Sequence, residues 1–530
     1  MNLYFLIFMI GIALLTAGCS QKQDDLKNGE QVITYNLGAE PETLDPATAT
    51  GKAEATVQMA VFEGLTRLDK DNKPVPGMAK DWEISDDGTR YTFHLRDAKW
   101  SNGEPVTAYD FEYAWKRLLS PETGAYYAYQ LWYIKNGKEY TDGNVSADEV
   151  GVRAIDDKTL EVELIAPTPY FLSLTAFSGL YPVNKNIVQS NPDWHTGVDT
   201  YVGNGPFKLA EWKHNQKLVL LKNPNYWAAD DVKLDKIVMT MAESRNTELT
   251  MFETGQIDIA EEVPAQEIKR LLDEGIASIH PDLSSYFSVF NIENDFLKDK
   301  RVRRALAMAI NRQSLIDNVA QGFQKPAYAF VPNGVPGING DFREEGGDYF
   351  QENVERAREL LAQAGYPNGD GAPTLELMYD NRGDHQKLVE AIQEMWKSNL
   401  NIDVKLKKQE WGVYLKSLHT GDYQIAIAGW GADYVDAMTF LDMWVSDSGN
   451  NVAGWRNSEY DRLIEIAKTS FDNKKRIAAM HDAEKILLNE MPFMPIYFYT
   501  NVNMYKPWVK GVVVPTIGGF QEFRWAYVEK

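Results

Sequence analysis

Alternation of apolar and polar positions opens the readable part of the chain. Over 31–37, Ile33, Tyr35 and Leu37 interleave with Val32, Thr34 and Asn36, the period of two that a pleated segment requires. Tyr91, Phe93 and Leu95 share one face of a second predicted strand. Leu160, Val162 and Leu164 share one face of a third, which stops before Pro167. After Thr107 the period becomes helical. Phe111, Ala114, Trp115 and Leu118 fall at i, i+3, i+4 and i+7, and Asp110 stands three residues beyond Thr107 as in a capping box. A helix is therefore predicted to about residue 119, ending before Pro121. The same spacing predicts helices over 299–320 closed by Gly322, 354–364 closed by Gly365, 386–398, 411–418 before Gly421, 458–469 and 474–489. Between them 402–406, 423–428 and 495–500 read as strands, with Gly429-Trp430-Gly431 as a corner after the second. Helices interleaved with strands predict mixed α/β lobes. With 530 residues and no internal repeat, about three lobes are expected.

The first residues follow another pattern. An apolar run over 3–17 is shorter than the ~20 residues that span a bilayer. It ends in Leu15-Thr16-Ala17-Gly18-Cys19 and gives way to polar residues from Ser20. Small residues directly before a cysteine form the layout of a secretory signal over 1–18, cleaved ahead of Cys19. This resembles a lipoprotein signal, although Thr16 stands where Leu is usual and no Lys or Arg precedes the run. Cys19 is the only cysteine, so no internal disulfide is available. Lipidation there accounts for a lone thiol in an oxidising compartment, and two acyl chains suffice for stable anchoring. Residues 19–30 then read as a lipidated tether.

Charge narrows the partners. The net charge is −22 and the pI about 4.9, a surface that repels phosphate backbones, so no nucleic acid is expected. Catalytic patterns are missing. The seven histidines show no metal-ligand spacing. There is no Gly-x-Ser-x-Gly elbow and no phosphate-binding loop, and Gly203-Asn204-Gly205 runs straight into Pro206. No catalytic residue, metal site or cofactor is assigned. One segment, 428–436 (Ala-Gly-Trp-Gly-Ala-Asp-Tyr-Val-Asp), does combine unusual chemistry. Its glycines let a ligand backbone approach closely, Trp430 offers a flat wall, and Asp433 can pair with a cation. The same residues fit a second reading, in which Asp433 caps a helix beginning near Asp436.

This segment, followed by Thr439-Phe440-Leu441, resembles the peptide-binding members of the ABC-importer solute-binding proteins of family 5. Further matches run in the same order. They include Glu40-Pro41-Glu42-Thr43-Leu44-Asp45-Pro46, Phe62-Glu63-Gly64-Leu65, Lys99-Trp100-Ser101-Asn102-Gly103, Asn204-Gly205-Pro206-Phe207, Asn223-Pro224-Asn225-Tyr226-Trp227 and Arg301-Val302-Arg303-Arg304-Ala305. The resemblance covers essentially everything after the tether.

The resemblance implies a two-lobed α/β clamshell, periplasmic-binding-protein-like, type II, in its three-domain variant. Domain I would comprise 31–62, 186–285 and 500–530, domain II 63–185, and domain III 286–499. It also implies an extracytoplasmic, lipid-anchored, monomeric receptor that binds oligopeptides in extended form and delivers them to the permease subunits of an ABC importer. Asp433 would hold the peptide α-ammonium. Thr50, Gly51 and Lys52, with Gly429, Trp430 and Gly431, would meet the peptide backbone. Tyr127 and Trp411 would line the site, and His385 would stand near its far end. Some relatives carry an Arg two residues before the Gly-Trp pair, where this chain has Ile427, so the recognition of the peptide carboxylate stays open. Other members of the fold bind cell-wall peptides, haem, sugars or metal chelates, and a peptide-signal receptor or an extracytoplasmic chaperone is a further alternative. No enzyme is expected.

Overall fold

The computed structural model describes residues 29–261, 263–380, 385–517 and 521–529. The expected signal segment, Cys19 and the tether up to residue 28 lie outside the described residues. The chain divides into two compact units. The first takes residues up to 278 with 502–515 and 519–530, and the second takes 279–501 with 516–518.

In the first unit Val32–Asn36 runs parallel to Lys236–Thr240, with Val32 opposite Lys236 and Asn36 opposite Thr240. Tyr35 pairs with Ile259 on the other side. Val32, Ile33, Tyr35 and Asn36 are all buried, so both faces of this strand are covered, where a half-exposed strand would alternate. A hairpin of Phe207–Lys213 and Lys217–Lys222 extends this sheet beyond Lys236–Thr240. A separate antiparallel sheet orders Ala79–Ile84, Arg90–Leu95, Thr159–Glu163 and Val152–Asp156. The predicted helix is Ala108–Leu119, and its Thr107/Asp110 capping box is formed.

Buried charges fix the C-terminal segment to this unit. Arg67 reaches Glu63 and Glu522 at 2.8 Å each, all three almost fully buried. Trp227 Nε1 donates to Glu63 at 2.5 Å, and Arg524 Nη1 lies 3.4 Å from the same carboxylate. Such groups tolerate burial only because each is paired and hydrogen-bonded.

In the second unit Leu375–Asp380 lies between Val404–Gln409 and Ile425–Gly431, parallel to both. Ile425–Gly431 pairs antiparallel with the second half of Ala277–Phe290, from Ser284↔Gly431 to Phe290↔Ile425. The core beneath is aromatic. Phe287, Phe330, Trp444 and Phe493 pack with ring centroids 4.4–6.0 Å apart. Nearby, the fully buried Glu484 accepts from Phe330 N, Val331 N and Arg343, each at 2.8 Å.

Two expectations change here. The helix predicted over 299–320 is Lys300–Met308, then Arg312–Leu315, then a wider turn over Ile316–Ala320. Asn311 interrupts it because its side chain accepts from Ser314 N at 2.8 Å and starts a new helix. The left-handed closing residue is Gln321 (φ 52) and not Gly322. The second change concerns Gly429-Trp430-Gly431, which is no corner. The strand continues through it to Gly431, held by the register with Ser284–Tyr286.

Candidate functional site

Strand geometry decides which backbone groups of Ile425–Gly431 are available. Ala432 N donates to Leu283 O at 2.7 Å. In an antiparallel ladder a residue's N–H and C=O point the same way and alternate along the strand. Even-numbered residues therefore face the 277–290 strand, and Ile427, Gly429 and Gly431 face the opposite edge. On that edge the ladder with Leu375–Asp380 pairs only Ile425 and Ala426. The Ile427 carbonyl accepts from the Tyr414 hydroxyl. Among the described residues nothing pairs with Gly429 and Gly431 there, and both are exposed. Their lack of side chains is not a demand of internal packing. A Cβ at Gly429 would meet nothing nearer than 3.6 Å, and one at Gly431 nothing nearer than 3.2 Å. The two glycines leave a short, bare strand edge that an extended chain can approach.

At the end of this edge stands Asp433, half-buried. Its capping alternative does not hold. The helix that follows is Met438–Leu441, and the carboxylate that accepts from Met438 N, at 2.8 Å, is that of Asp436. Asp436 is in turn paired with Arg476. Asp433 is placed by a residue that sequence reasoning did not single out. Buried Thr439 accepts from Asp433 N through Oγ1 at 3.1 Å and from Trp430 Nε1 through its carbonyl at 2.7 Å. One threonine thus fixes both the aromatic wall and the backbone of the acid.

Aromatic groups surround the edge. Tyr286, opposite Gly429 in the ladder, is buried and stacks on Tyr497 at 4.8 Å and 7°. Burial pushes its phenol well above the usual range, with Tyr497 and Tyr499 adding to the shift. Its hydroxyl has no hydrogen-bond partner among the described residues. His385 begins the helix His385–Leu400, and its Nδ1 lies 2.9 Å from Asp380 Oδ2 and its ring 5.5 Å from Tyr286. Trp411 opens the helix Trp411–Thr420, capped by Glu410, and stacks on Tyr414 at 5.6 Å and 12°. In the second unit Gly429, Trp430 and Gly431 lie on one strand with Asp433 just beyond it, and Trp411 and His385 open helices that pack on strands of the same sheet.

The other predicted residues belong to the first unit. Thr50, Gly51 and Lys52 are exposed where the chain enters the helix Lys52–Val61, with Gly51 as its N-cap residue. A Cβ at Gly51 would overlap the carboxylate of Glu54, which accepts from Glu42 N at 2.7 Å, so a larger residue there would have to displace that side chain. Lys52 Nζ meets Glu261 at 2.7 Å, a partner that sequence spacing does not reveal. Tyr127 lies in the turn Tyr126–Leu131 and packs edge-on against Phe177 at 5.0 Å.

Among the described residues no helix is long and apolar enough to cross a membrane. No group of His, Cys, Asp and Glu there is arranged to hold a metal.

Comparison with known proteins gives these features a family. Residues 73–452 match the model for bacterial extracellular solute-binding proteins, family 5 Middle. The chain is 42% identical over 511 residues to the oligopeptide-binding protein OppA of Bacillus subtilis (strain 168), covering 94% of this chain and 93% of that one. It is 39% identical over 529 residues to the dipeptide-binding protein DppE of the same organism, covering 98% and 97%. The crystal structure of Haemophilus influenzae OppA in complex with RPPGFSPFR matches with a TM-score of 0.75 at 33% identity, covering 94% of this chain and 99% of that one. The chain belongs to the bacterial extracellular solute-binding proteins of family 5, a family of two-lobed α/β transport receptors and not of enzymes.

Proposed function

We propose that this protein is an extracytoplasmic receptor that binds oligopeptides in extended conformation and hands them to the permease subunits of an ABC importer. The observation that carries the reading is the bare edge of Gly429 and Gly431 leading to Asp433. An extended peptide can add to such an edge through its main chain, which favours affinity for the peptide backbone over any one side-chain sequence. Its α-ammonium needs a charged, hydrogen-bonded partner once desolvated, and Asp433 is that partner. Thr50, Gly51, Lys52, Trp430, Tyr127 and Trp411 are proposed as further contacts, with His385 toward the far end. Relatives named for oligopeptides and dipeptides support a peptide ligand. The proposal includes a lipidated Cys19, a monomeric receptor and the three-domain division. The unit boundaries at 278/279 and 501/502 support a domain III over 286–499.

Asp433→Asn with free and N-acetylated peptides is the test. Removing one partner of a desolvated ion pair costs ~2–5 kcal/mol, or roughly thirtyfold to several thousandfold in affinity. Calorimetry on the four combinations forms a double-mutant-style cycle. Both single changes should weaken binding and the double change should add little. A coupling energy near zero would show that Asp433 does not read the amino terminus.

A further inference from the structure

Apart from the residues proposed to hold peptide, the first unit carries a surface cleft of about 670 Å³, within the ~300–1,000 Å³ range of small-molecule sites. It is built on the outer face of the helix Ala108–Leu119. Phe111, Ala114, Trp115 and Leu118 form the buried face of that helix. Tyr109, Glu112, Tyr113, Lys116, Arg117 and Ser120 recur at i, i+3, i+4, i+7, i+8 and i+11 and line the cleft, as one stripe of a 3.6-residue period does. Tyr140, on the helix Gly137–Thr141, and Asp148, in the turn Ala147–Glu149, add to the lining, with Glu122 and Lys185. Part of this polar face is already committed. Arg117 holds both carboxylate oxygens of the buried Asp45. Lys116 Nζ donates to Glu112 Oε1 at 2.6 Å, and the other oxygen of Glu112 accepts from Ala154 N at 3.0 Å. The rest is not. Among the described residues, the hydroxyls of Tyr109, Tyr113 and Tyr140, the ammonium of Lys185 and the carboxylates of Glu122 and Asp148 have no partner.

We infer that this cleft is a second ligand site, one that takes a short neutral saccharide. A saccharide presents apolar C–H faces edged by hydroxyls that both donate and accept. Its faces match the rings of Tyr109, Tyr113 and Tyr140, of which the last two are half-buried and the first exposed. Its hydroxyls can accept from the Lys185 ammonium and donate to the carboxylates of Glu122 and Asp148. A ligand with donors alone or acceptors alone would leave one of these sets unpaired. The charges of the lining balance, Lys116, Arg117 and Lys185 against Glu112, Glu122 and Asp148, so neither an anion nor a cation is called for. None of the proposed peptide contacts belongs to the lining, and the site stands independently of the peptide reading.

Calorimetry on the full-length protein tests the site. The probes are N,N′-diacetylchitobiose and maltotriose, with digalacturonate as the anionic control and choline as the cationic one. At least one neutral saccharide should bind wild type, and both controls should bind at least about tenfold more weakly. Tyr109→Ala removes a ring at a position 42% exposed and should weaken the saccharide at least about threefold. Lys185→Met removes a charged donor and should weaken it about tenfold or more. Both variants should hold pentaalanine within about twofold of wild type, because the peptide contacts lie elsewhere. Absence of saccharide binding up to ~10 mM overturns the inference, as does binding that both variants leave unchanged. Binding of choline without any saccharide would make the cleft a cation cage and overturns it equally. Absence of pentaalanine binding to wild type would overturn the peptide reading and leave the saccharide site standing. Should Tyr109→Ala fail to fold, Lys185→Met decides.

Discussion

Thr439→Val separates the position of Asp433 from the chemistry of its carboxylate. The substitution keeps a β-branched shape and removes the one oxygen that accepts from Asp433 N at 3.1 Å. The bond from Trp430 Nε1, at 2.7 Å, ends on the Thr439 main-chain carbonyl and survives. The aromatic wall should therefore stay in place while the acid loses its tether. A typical intramolecular hydrogen bond contributes about 0.5–1.5 kcal/mol net, and a stranded buried donor costs about 1–3 kcal/mol. Stability should fall by about 1–2 kcal/mol, read as a shift in the denaturation midpoint. Affinity for free peptides should fall by part of the ion-pair value, about three- to thirtyfold at 1.4 kcal/mol per decade. N-acetylated peptides, which present no cation to Asp433, should bind the variant as they bind wild type. The assay is calorimetry with both peptide forms, alongside indole fluorescence as a monitor of Trp430. A folded Thr439→Val protein that keeps the wild-type ratio of free to acetylated affinity would refute the tether. Equal losses for both forms would mean that Thr439 supports the region without placing the acid.

Two further outcomes are expected. Asp442, just past the helix that carries Thr439, has its carboxyl raised from the ordinary 3.8 to about 6 by burial, with Asp436 adding to the effect and Lys468 opposing it. The folded state then holds its proton more tightly than the unfolded chain, so this group's contribution to stability is greatest below about pH 4 and declines as pH rises to about 6. Asp442→Asn should abolish that decline and raise stability at neutral pH by about 1–2 kcal/mol after allowance for solvent screening, as measured by denaturant titration across pH. For Cys19, intact-mass analysis of membrane fractions should find an acyl adduct, and Cys19→Ala should release the protein from the membrane. A variant bound as firmly as wild type would remove the anchor.

What the sequence disclosed depended on how local the cause was. The Thr107/Asp110 box and the closing glycines Gly365 (φ 103) and Gly421 (φ 74) act within a turn of their helices, and all three took their expected places. Ala277–Phe290 was not visible as a strand. Its run of Ser278, His280, Pro281, Asp282, Ser284 and Ser285 lacks alternation until the apolar residues of its second half, and both its faces there are buried. The glycines of 429 and 431 read as a turn because glycine alone cannot distinguish a bend from a strand stripped for a ligand. Their partners in Ser284–Tyr286 decide it, well over a hundred residues away in sequence. The site divides in the same manner. Asp433 and Trp430 stand out through their own chemistry, whereas Thr439 and Tyr414 matter only through oxygens that folding brings to them.

A bare strand edge is a hazard as well as a binding device, since it can template the addition of another chain. Three features confine the hazard here. The strand Leu375–Asp380 and the Tyr414 hydroxyl together close the edge as far as Ile427, so that two residues remain where a stable pairing of strands needs more. Asp433 places a negative charge at the other end, which opposes a second copy of the same segment more than it opposes a peptide's ammonium. The chain's net charge of −22 acts in the same direction over longer range. A ligand that brings a cation and only a few amides is matched to what is left. Affinity for a peptide's amino terminus and resistance to self-association then follow from the same residues.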